Sequence, residues 1–262
     1  MIRLITSDID GTLLQQKRSA LSQEQMDLIR ECVRMGIRFA AASGRQYPSL
    51  QRLFAPLQDE MLFIAENGAL IMQHDEPLFS RPISKEVGRQ VLRTISSHKN
   101  HEALLCCART CYICNRKGDF LREETRRLGN TVTFVDDLEE VQDEWLKISA
   151  FLPDGNATEE AEHYVPFWDQ KLLYVAVAGR QWVDFGRASK GTALRFLQRH
   201  LHISRDETLT FGDNFNDVEM FRSSGHSYAM ASSAQGVRQA SGKVAQTVEE
   251  VLRALIAKGG TL

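Results

Sequence analysis

The sequence predicts an α/β protein: a core built on a parallel sheet, with a second α/β segment inserted into it. Three observations lead there. Short apolar runs alternate with amphipathic helical stretches near both ends of the chain, the arrangement that builds βαβ units. Between them the pattern changes to short strands and hairpins, then changes back. The length of 262 residues is enough to bury a sizeable core and implies one or two domains.

The elements follow in order. Ile2 to Ser7 reads as a strand, and Leu21 to Met35 as a helix with apolar Leu21, Met26, Ile29 and Val33 on one face. A Ser22/Gln25 capping box opens that helix and Gly36 stops it. Ile37 to Ala42 is a buried type of strand, Leu50 to Phe54 a helical turn, and Met61 to Ala65 another strand. After about Arg81-Pro82 the style changes. Ser84 to Ser97 is a helix, short strands lie around Leu104 and Tyr112, Asp119 to Leu128 is a helix and Val132 to Val135 a strand. Trp145 to Phe151 is a strand, Asn156 to Trp168 a helix capped by Asn156 and Glu159, Lys171 to Ala178 a strand and Val183 to Phe185 one more. The first style then returns, with helix Lys190 to Leu201, strand Thr208 to Phe211, helix Asp217 to Arg222, strand Tyr228 to Met230 and a Thr247/Glu250-capped helix from Thr247 to Ala257. The expected division is a core of residues 1–82 and 187–262 around an insert of residues 83–186.

Composition narrows the class. Hydrophobic residues make up 43% and charged residues 25%, as in ordinary globular proteins. The net charge of −2 provides no basic field for nucleic acid. No apolar run approaches the ~18 residues of a membrane span, and the first residues enter a strand pattern where a signal peptide would lie. The expectation is a cytoplasmic protein with neither nucleic acid nor membrane as partner; the oligomeric state is not legible. The odd count of five cysteines argues against a disulfide framework. The cluster Cys106-Cys107, Cys111 and Cys114 has a spacing like that of metal ligands. It lacks a second pair, and its flanks read strand, turn, strand, so these residues are read as small apolar fillers of a sheet. His98, His101, His200 and His202 are read as surface residues.

Four polar groups sit where α/β sites are built, at the ends of strands or the start of a helix, and open α/β sheets bind ligands at the carboxyl ends of their strands. Asp8-Ile9-Asp10-Gly11-Thr12 follows the first strand. Alternation puts Asp8 and Asp10 on one side, and two carboxylates that close resist joint ionisation unless a cation or a shared proton relieves them. The pair therefore suits a metal ion, or an acid beside a nucleophile. Ser43-Gly44-Arg45 follows the Phe39–Ala42 run and offers a hydroxyl and backbone N–H groups to an anion. Ser189-Lys190-Gly191 opens a helix, and a lysine at the positive end of the helix dipole makes sense if an anion faces it. Gly212-Asp213-Asn214-Phe215-Asn216-Asp217 is a poor match for a calcium loop, but one carboxylate from here with Asp8 suits magnesium, which takes few protein ligands.

In this order, D-x-D-G-T, S-G-R, S-K-G and G-D-x-x-N-D resemble the motifs of the haloacid dehalogenase superfamily of aspartate-nucleophile phosphatases. The position of the insert, and Glu66-Asn67-Gly68-Ala69, resemble its Cof-type (IIB) branch, whose Rossmann-like core carries an inserted α/β cap. The resemblance covers both ends of the chain by motif and the cap by position and length.

It implies a Mg²⁺-dependent phosphatase of small phosphorylated metabolites, sugar phosphates or similar esters. Asp8 is then the nucleophile and Asp10 the acid and base. The metal ligands implied are the Asp8 carboxylate, the Asp10 carbonyl and Asp213. Ser43, Gly44, Lys190 and Asn216 bind the phosphoryl group, Asp217 supports the metal or Lys190, and Arg45 and Asn67 face the substrate. A phosphomutase or phosphotransferase on the same fold is the alternative, and would have to keep water from the phosphoenzyme. A non-catalytic phosphosugar sensor is a third reading, though decay toward one should first remove Asp8 or Asp10. The chain departs from the branch at Met230-Ala231-Ser232-Ser233, where Ser232 stands in place of an asparagine.

Overall fold

The computed structural model describes residues 1–15, 18–115, 119–127, 129–164 and 173–262. In chain order its elements are β1 (Leu4–Asp8), α1 (Gln23–Arg34), β2 (Arg38–Ala42), α2 (Tyr47–Leu53), β3 (Leu62–Ala65), β4 (Leu70–Gln73), β5 (Glu76–Ser80), α3 (Lys85–Ser97), β6 (Glu102–Cys106) and β7 (Cys111–Cys114). Then come α4 (Asp119–Arg127), β8 (Val132–Val135), β9 (Lys147–Phe151), α5 (Ala157–Tyr164), β10 (Tyr174–Ala178), β11 (Trp182–Gly186), α6 (Lys190–His200), β12 (Thr208–Gly212), α7 (Val218–Arg222), β13 (His226–Met230), α8 (Gln235–Ala240), β14 (Lys243–Ala245) and α9 (Val248–Ala257). The expected helix residue Leu128, the expected helix end at 165–168 and the expected strand start at 171–172 lie outside the described residues.

The chain forms two compact units. The first comprises Met1–Gly44, Leu50–Phe79 and Ser189–Leu262; the second comprises Arg45–Ser49 and Ser80–Ala188.

An eight-stranded sheet in the order β14-β13-β12-β1-β2-β3-β4-β5 runs through the first unit. From β14 to β3 the pairings are parallel, as the alternation of strands and helices predicts. Central strands covered on both faces read as continuous apolar runs, and every residue of β1 is buried. β2 and β3 contribute Ala40, Ala42, Leu62 and Ile64 to a core shared with Ala193, Leu194 and Leu197 of α6. Each such large aliphatic side chain contributes roughly 1.5–3 kcal/mol on burial.

Ser22 caps α1 with both halves of the expected box, and Gly36 adopts φ +83° just past its end. At α9 only half of the expected box forms. The Thr247 hydroxyl accepts the Glu250 N–H, but the Glu250 carboxylate accepts from Gln246. The antiparallel strand β4 and its neighbour β5 extend the sheet where the sequence showed no strands. Their turn at His74-Asp75 has φ of 51° and 64°, the left-handed pair that a tight hairpin needs, without the Asn-Gly or Asp-Gly signature. α8 and β14 were likewise missed; both are short, of 6 and 3 residues.

The second unit holds a six-stranded sheet in the order β10-β11-β9-β6-β7-β8. It is antiparallel except where β7 pairs β8. Val91, Leu92 and Ile95 of α3, with Ala157, Ala161 and Tyr164 of α5, pack in one cluster with Ile148, Ala150, Val183 and Phe185 of the sheet. Leu104, Cys106, Cys111, Ile113, Leu121 and Phe151 form another cluster, and all five cysteines are free thiols. Cys106 and Cys111 face each other on the paired strands β6 and β7 within that cluster. At α5 the Asn156 amide reaches Glu160, not Glu159. Among the described residues, no helix is long and apolar enough to cross a membrane.

Candidate active site

Strand β1 lies where the order of the parallel sheet reverses. The chain passes from β1 to β2 and β3 on one side, and through β12, β13 and β14 on the other. The loops leaving the carboxyl ends of β1, β2 and β12 diverge there and leave a crevice. Asp8 is the last residue of β1, Ser43 follows β2 and Asp213 follows β12. Backbone topology thus gathers three motifs that are up to 200 residues apart.

Asp8 is buried, with 5% of its surface exposed. Its Oδ1 accepts from the Lys190 ammonium at 2.5 Å, and its Oδ2 is buried with no hydrogen-bond partner among the described residues. Lys190 is 1% exposed and also donates to Asp217 Oδ1 at 2.7 Å. The anion that a lysine at a helix N-terminus calls for is therefore this carboxylate pair. Asp217 is fully buried, and its Oδ2 accepts the Asp213 and Asn214 N–H groups at 3.0 and 3.1 Å, which fixes the loop after β12. Asp213 accepts from the Thr12 hydroxyl at 3.1 Å. Gly11 makes the approach possible: it has φ +90°, and a Cβ there would lie 2.2 Å from Asp213 Oδ2.

Asp10 lies beyond the strand, in a turn, and is exposed. Strand alternation does not reach it, because β1 ends at Asp8. The carboxylates that do converge, with oxygens within 4.8 Å of one another, belong to Asp8, Asp213 and Asp217.

Ser43 is 2% exposed, and its carbonyl accepts the Asn67 N–H at 3.0 Å. A Cβ on Gly44 would meet Asn67 Oδ1 at 3.0 Å. Asn67 Oδ1 accepts from Asn216 Nδ2 at 3.3 Å. Ser43, Gly44, Asn67 and Asn216 thus form a second polar group in the same unit. Glu66 and Asn67 hold φ of 50° and 53°, left-handed values that cost non-glycine residues free energy and cluster at functional sites. Arg45 opens the 45–49 segment that belongs to the second unit, where the Gln46 side chain exchanges hydrogen bonds with the Thr131 backbone at 2.8 and 3.2 Å. Ser232 is exposed.

Sequence reasoning named Asp217 as a support for the metal or Lys190, but it missed the contacts that fix the start of α6. The Ser189 hydroxyl caps α6 and donates to the Glu219 carboxylate, which Arg195 grips from α6 at 2.7 Å. The pairing requires α7 to pack on α6, which no local pattern reveals. Thr12 belonged to the first motif, but only its contact with Asp213 gives it a role.

Among the described residues, this cluster sets one ammonium against three carboxylates. Burial raises the Asp8 carboxyl well above its ordinary range; Lys190 opposes this, and Asp217 and Asp213 add to it. Asp213 is also raised, by burial and then by Asp217. For Lys190, burial alone would lower the value, but Asp217 and Asp8 outweigh it and the net shift is upward. The unsatisfied Asp8 Oδ2, facing further carboxylates, fits a hard divalent cation.

The sign of the linkage follows. An Asp raised in the folded state binds more protons folded than unfolded, so its contribution to stability falls as pH rises from about 4 toward its folded value. Metal-free protein is therefore expected to lose stability relative to Asp8→Asn over that interval. Urea unfolding of both proteins at a series of pH values checks this; parallel curves would contradict it.

Comparison with known proteins identifies the family. The family model for haloacid dehalogenase-like hydrolases matches residues 5–255. The 5-amino-6-(5-phospho-D-ribitylamino)uracil phosphatase YbjI of Escherichia coli is 27% identical over 246 residues, covering 90% of this chain and 88% of its own. Phosphatase YwpJ of Bacillus subtilis is 25% identical over 276 residues, covering 95% and 96%. Among solved structures, the sugar phosphatase BT4131 of subclass IIB shares the fold with a TM-score of 0.83 at 20% identity, over 99% of this chain and 100% of that one. With a family match over nearly its whole length and named phosphatases among its relatives, the chain belongs to the haloacid dehalogenase-like hydrolases, as a phosphatase of their Cof-type branch.

Proposed function

We propose that the protein is a Mg²⁺-dependent phosphomonoesterase that forms an aspartyl-phosphate on Asp8. One observation carries the reading. Asp8 is buried at the sheet's switch point, one oxygen held by Lys190 and the other without a donor beside Asp213. That is how a carboxylate is oriented to attack.

In this reading Asp8 Oδ2 attacks phosphorus and the P–O bond to the leaving group breaks. The exposed Asp10 protonates the leaving oxygen, then takes a proton from the water that opens the aspartyl-phosphate. Ser43, the Gly44 N–H and Asn216 bind the equatorial oxygens, and Lys190 offsets the charge that develops on them. Asp217 keeps Lys190 and the loop after β12 aligned. The Asp8 carboxylate, the Asp10 carbonyl and Asp213 would hold Mg²⁺, which supplies charge neutralisation between carboxylate and phosphate.

The inserted segment of residues 83–186, with Arg45 and Asn67, is assigned to substrate selection. The substrates are sugar or polyol phosphates, processed in the cytoplasm. Two relatives support this class: one is named for a phosphoribityl compound and one is called a sugar phosphatase.

The test is metal removal. Chelated enzyme is expected to release no phosphate from sugar phosphates or an aryl phosphate, and added Mg²⁺ to restore release. Full turnover in excess chelator would contradict the reading.

A further inference from the structure

Within the second unit, two histidines read as surface residues prove to be neighbours of a carboxylate. His98 is the C-cap of α3, and His101 follows it three residues later, just before β6. His101 is 8% exposed. Their ring centroids lie 4.7 Å apart, and Glu160 of α5 completes a group whose donor atoms all fall within 4.8 Å of one another. The group joins two separate helices, so it is a product of the fold and not of local sequence.

We propose that His98, His101 and Glu160 bind a divalent transition-metal ion of the Zn²⁺ class. The chemistry is unlike that of the acidic site on β1. Two imidazoles and one carboxylate form a borderline donor set, which Zn²⁺, Ni²⁺ and Cu²⁺ prefer and Mg²⁺ does not. A tetrahedral Zn²⁺ with bonds of about 2.0–2.2 Å needs donors roughly 3.5 Å apart, and the three donors here lie within 4.8 Å of one another. Three protein donors leave the fourth position to water.

The surroundings fit as well. Tyr164 Oη lies 2.8 Å from His101 Nδ1. A hydrogen bond between Nδ1 and that oxygen orients the ring, as such bonds commonly do for metal-binding histidines. The Tyr164 ring also stacks on His98, with centroids 5.5 Å apart and an interplanar angle of 19°. The Asn156 amide donates to Glu160 Oε1 at 3.3 Å and orients the carboxylate. The proposal does not depend on the phosphatase reading.

The test is Zn²⁺ titration of the full, chelator-stripped chain by calorimetry in excess Mg²⁺, with X-ray absorption on the loaded protein. Wild type is expected to take up one Zn²⁺ that Mg²⁺ does not displace, in a shell containing two imidazole nitrogens. His98→Ala and Glu160→Gln are each expected to weaken binding by more than about tenfold, and Tyr164→Phe by a smaller factor. Asp213→Asn is expected to leave it unchanged. His98 and Glu160 are only partly buried, and the circular dichroism of their variants separates lost binding from lost folding. No uptake by wild type would overturn the proposal. So would wild-type affinity in either folded ligand variant, or loss of the site in Asp213→Asn alone.

Discussion

Asp8→Asn is expected to abolish turnover, lowering kcat by about 10⁴-fold or more, as losing a nucleophile does in other covalent enzymes. The substitution keeps the shape of the side chain and an oxygen for Lys190, so the fold survives. It also removes one of the carboxylates crowded within 4.8 Å, so the metal-free variant is expected to be at least as stable as wild type. A dead enzyme that folds normally identifies a chemical role. Activity within tenfold of wild type would remove Asp8 as nucleophile, and loss of both fold and activity would make it a structural residue. Phosphate release from an aryl phosphate, with urea unfolding alongside, measures both.

Lys190→Met is expected to cost both activity and stability. The ammonium is 1% exposed and bonded to Asp8 at 2.5 Å and Asp217 at 2.7 Å. Removing one partner of a buried ion pair strands the other charge, typically at about 3–5 kcal/mol. The variant should unfold at lower urea with an unchanged slope. Adding Asp8→Asn to Lys190→Met should recover part of the loss, since one stranded carboxylate becomes neutral. Additive losses in the double variant would show that Lys190 and Asp8 are not coupled.

The folds most legible in the sequence were those with local signals. Ser22 and Gln25 announce α1, Gly36 its end, and the apolar runs at β1, β2 and β3 the parallel sheet. The hairpin of β4 and β5 was not legible, because His74-Asp75 reaches left-handed φ without the usual residues and Pro77 speaks against a strand. The candidate site was legible because its parts sit at strand ends or, for Lys190, at the start of a helix, and such ends can be read one at a time. Asp217 was legible as a partner of Lys190, but the brace at the start of α6 was not, since Glu219 and Arg195 meet only when α6 packs against α7. His98, His101 and Glu160 were missed for the same reason, since they meet only when α3 and α5 join one core with the sheet.

The role of Asp10 is where local reading and geometry part. Alternation put it beside Asp8, yet β1 ends at Asp8 and Asp10 is exposed in the turn that follows. On the proposed route, a buried Asp8 as nucleophile and an exposed Asp10 as proton carrier suit two covalent steps. The first needs a dry, fixed carboxylate, and the second needs access to water.

Mass spectrometry of enzyme quenched in acid during turnover tests that route most directly. One phosphoryl group, borne by Asp8 and discharged when Mg²⁺ and water are given time to act, is the expected result. Steady turnover with no phosphoenzyme in wild type, or the same modification in Asp8→Asn, would contradict it.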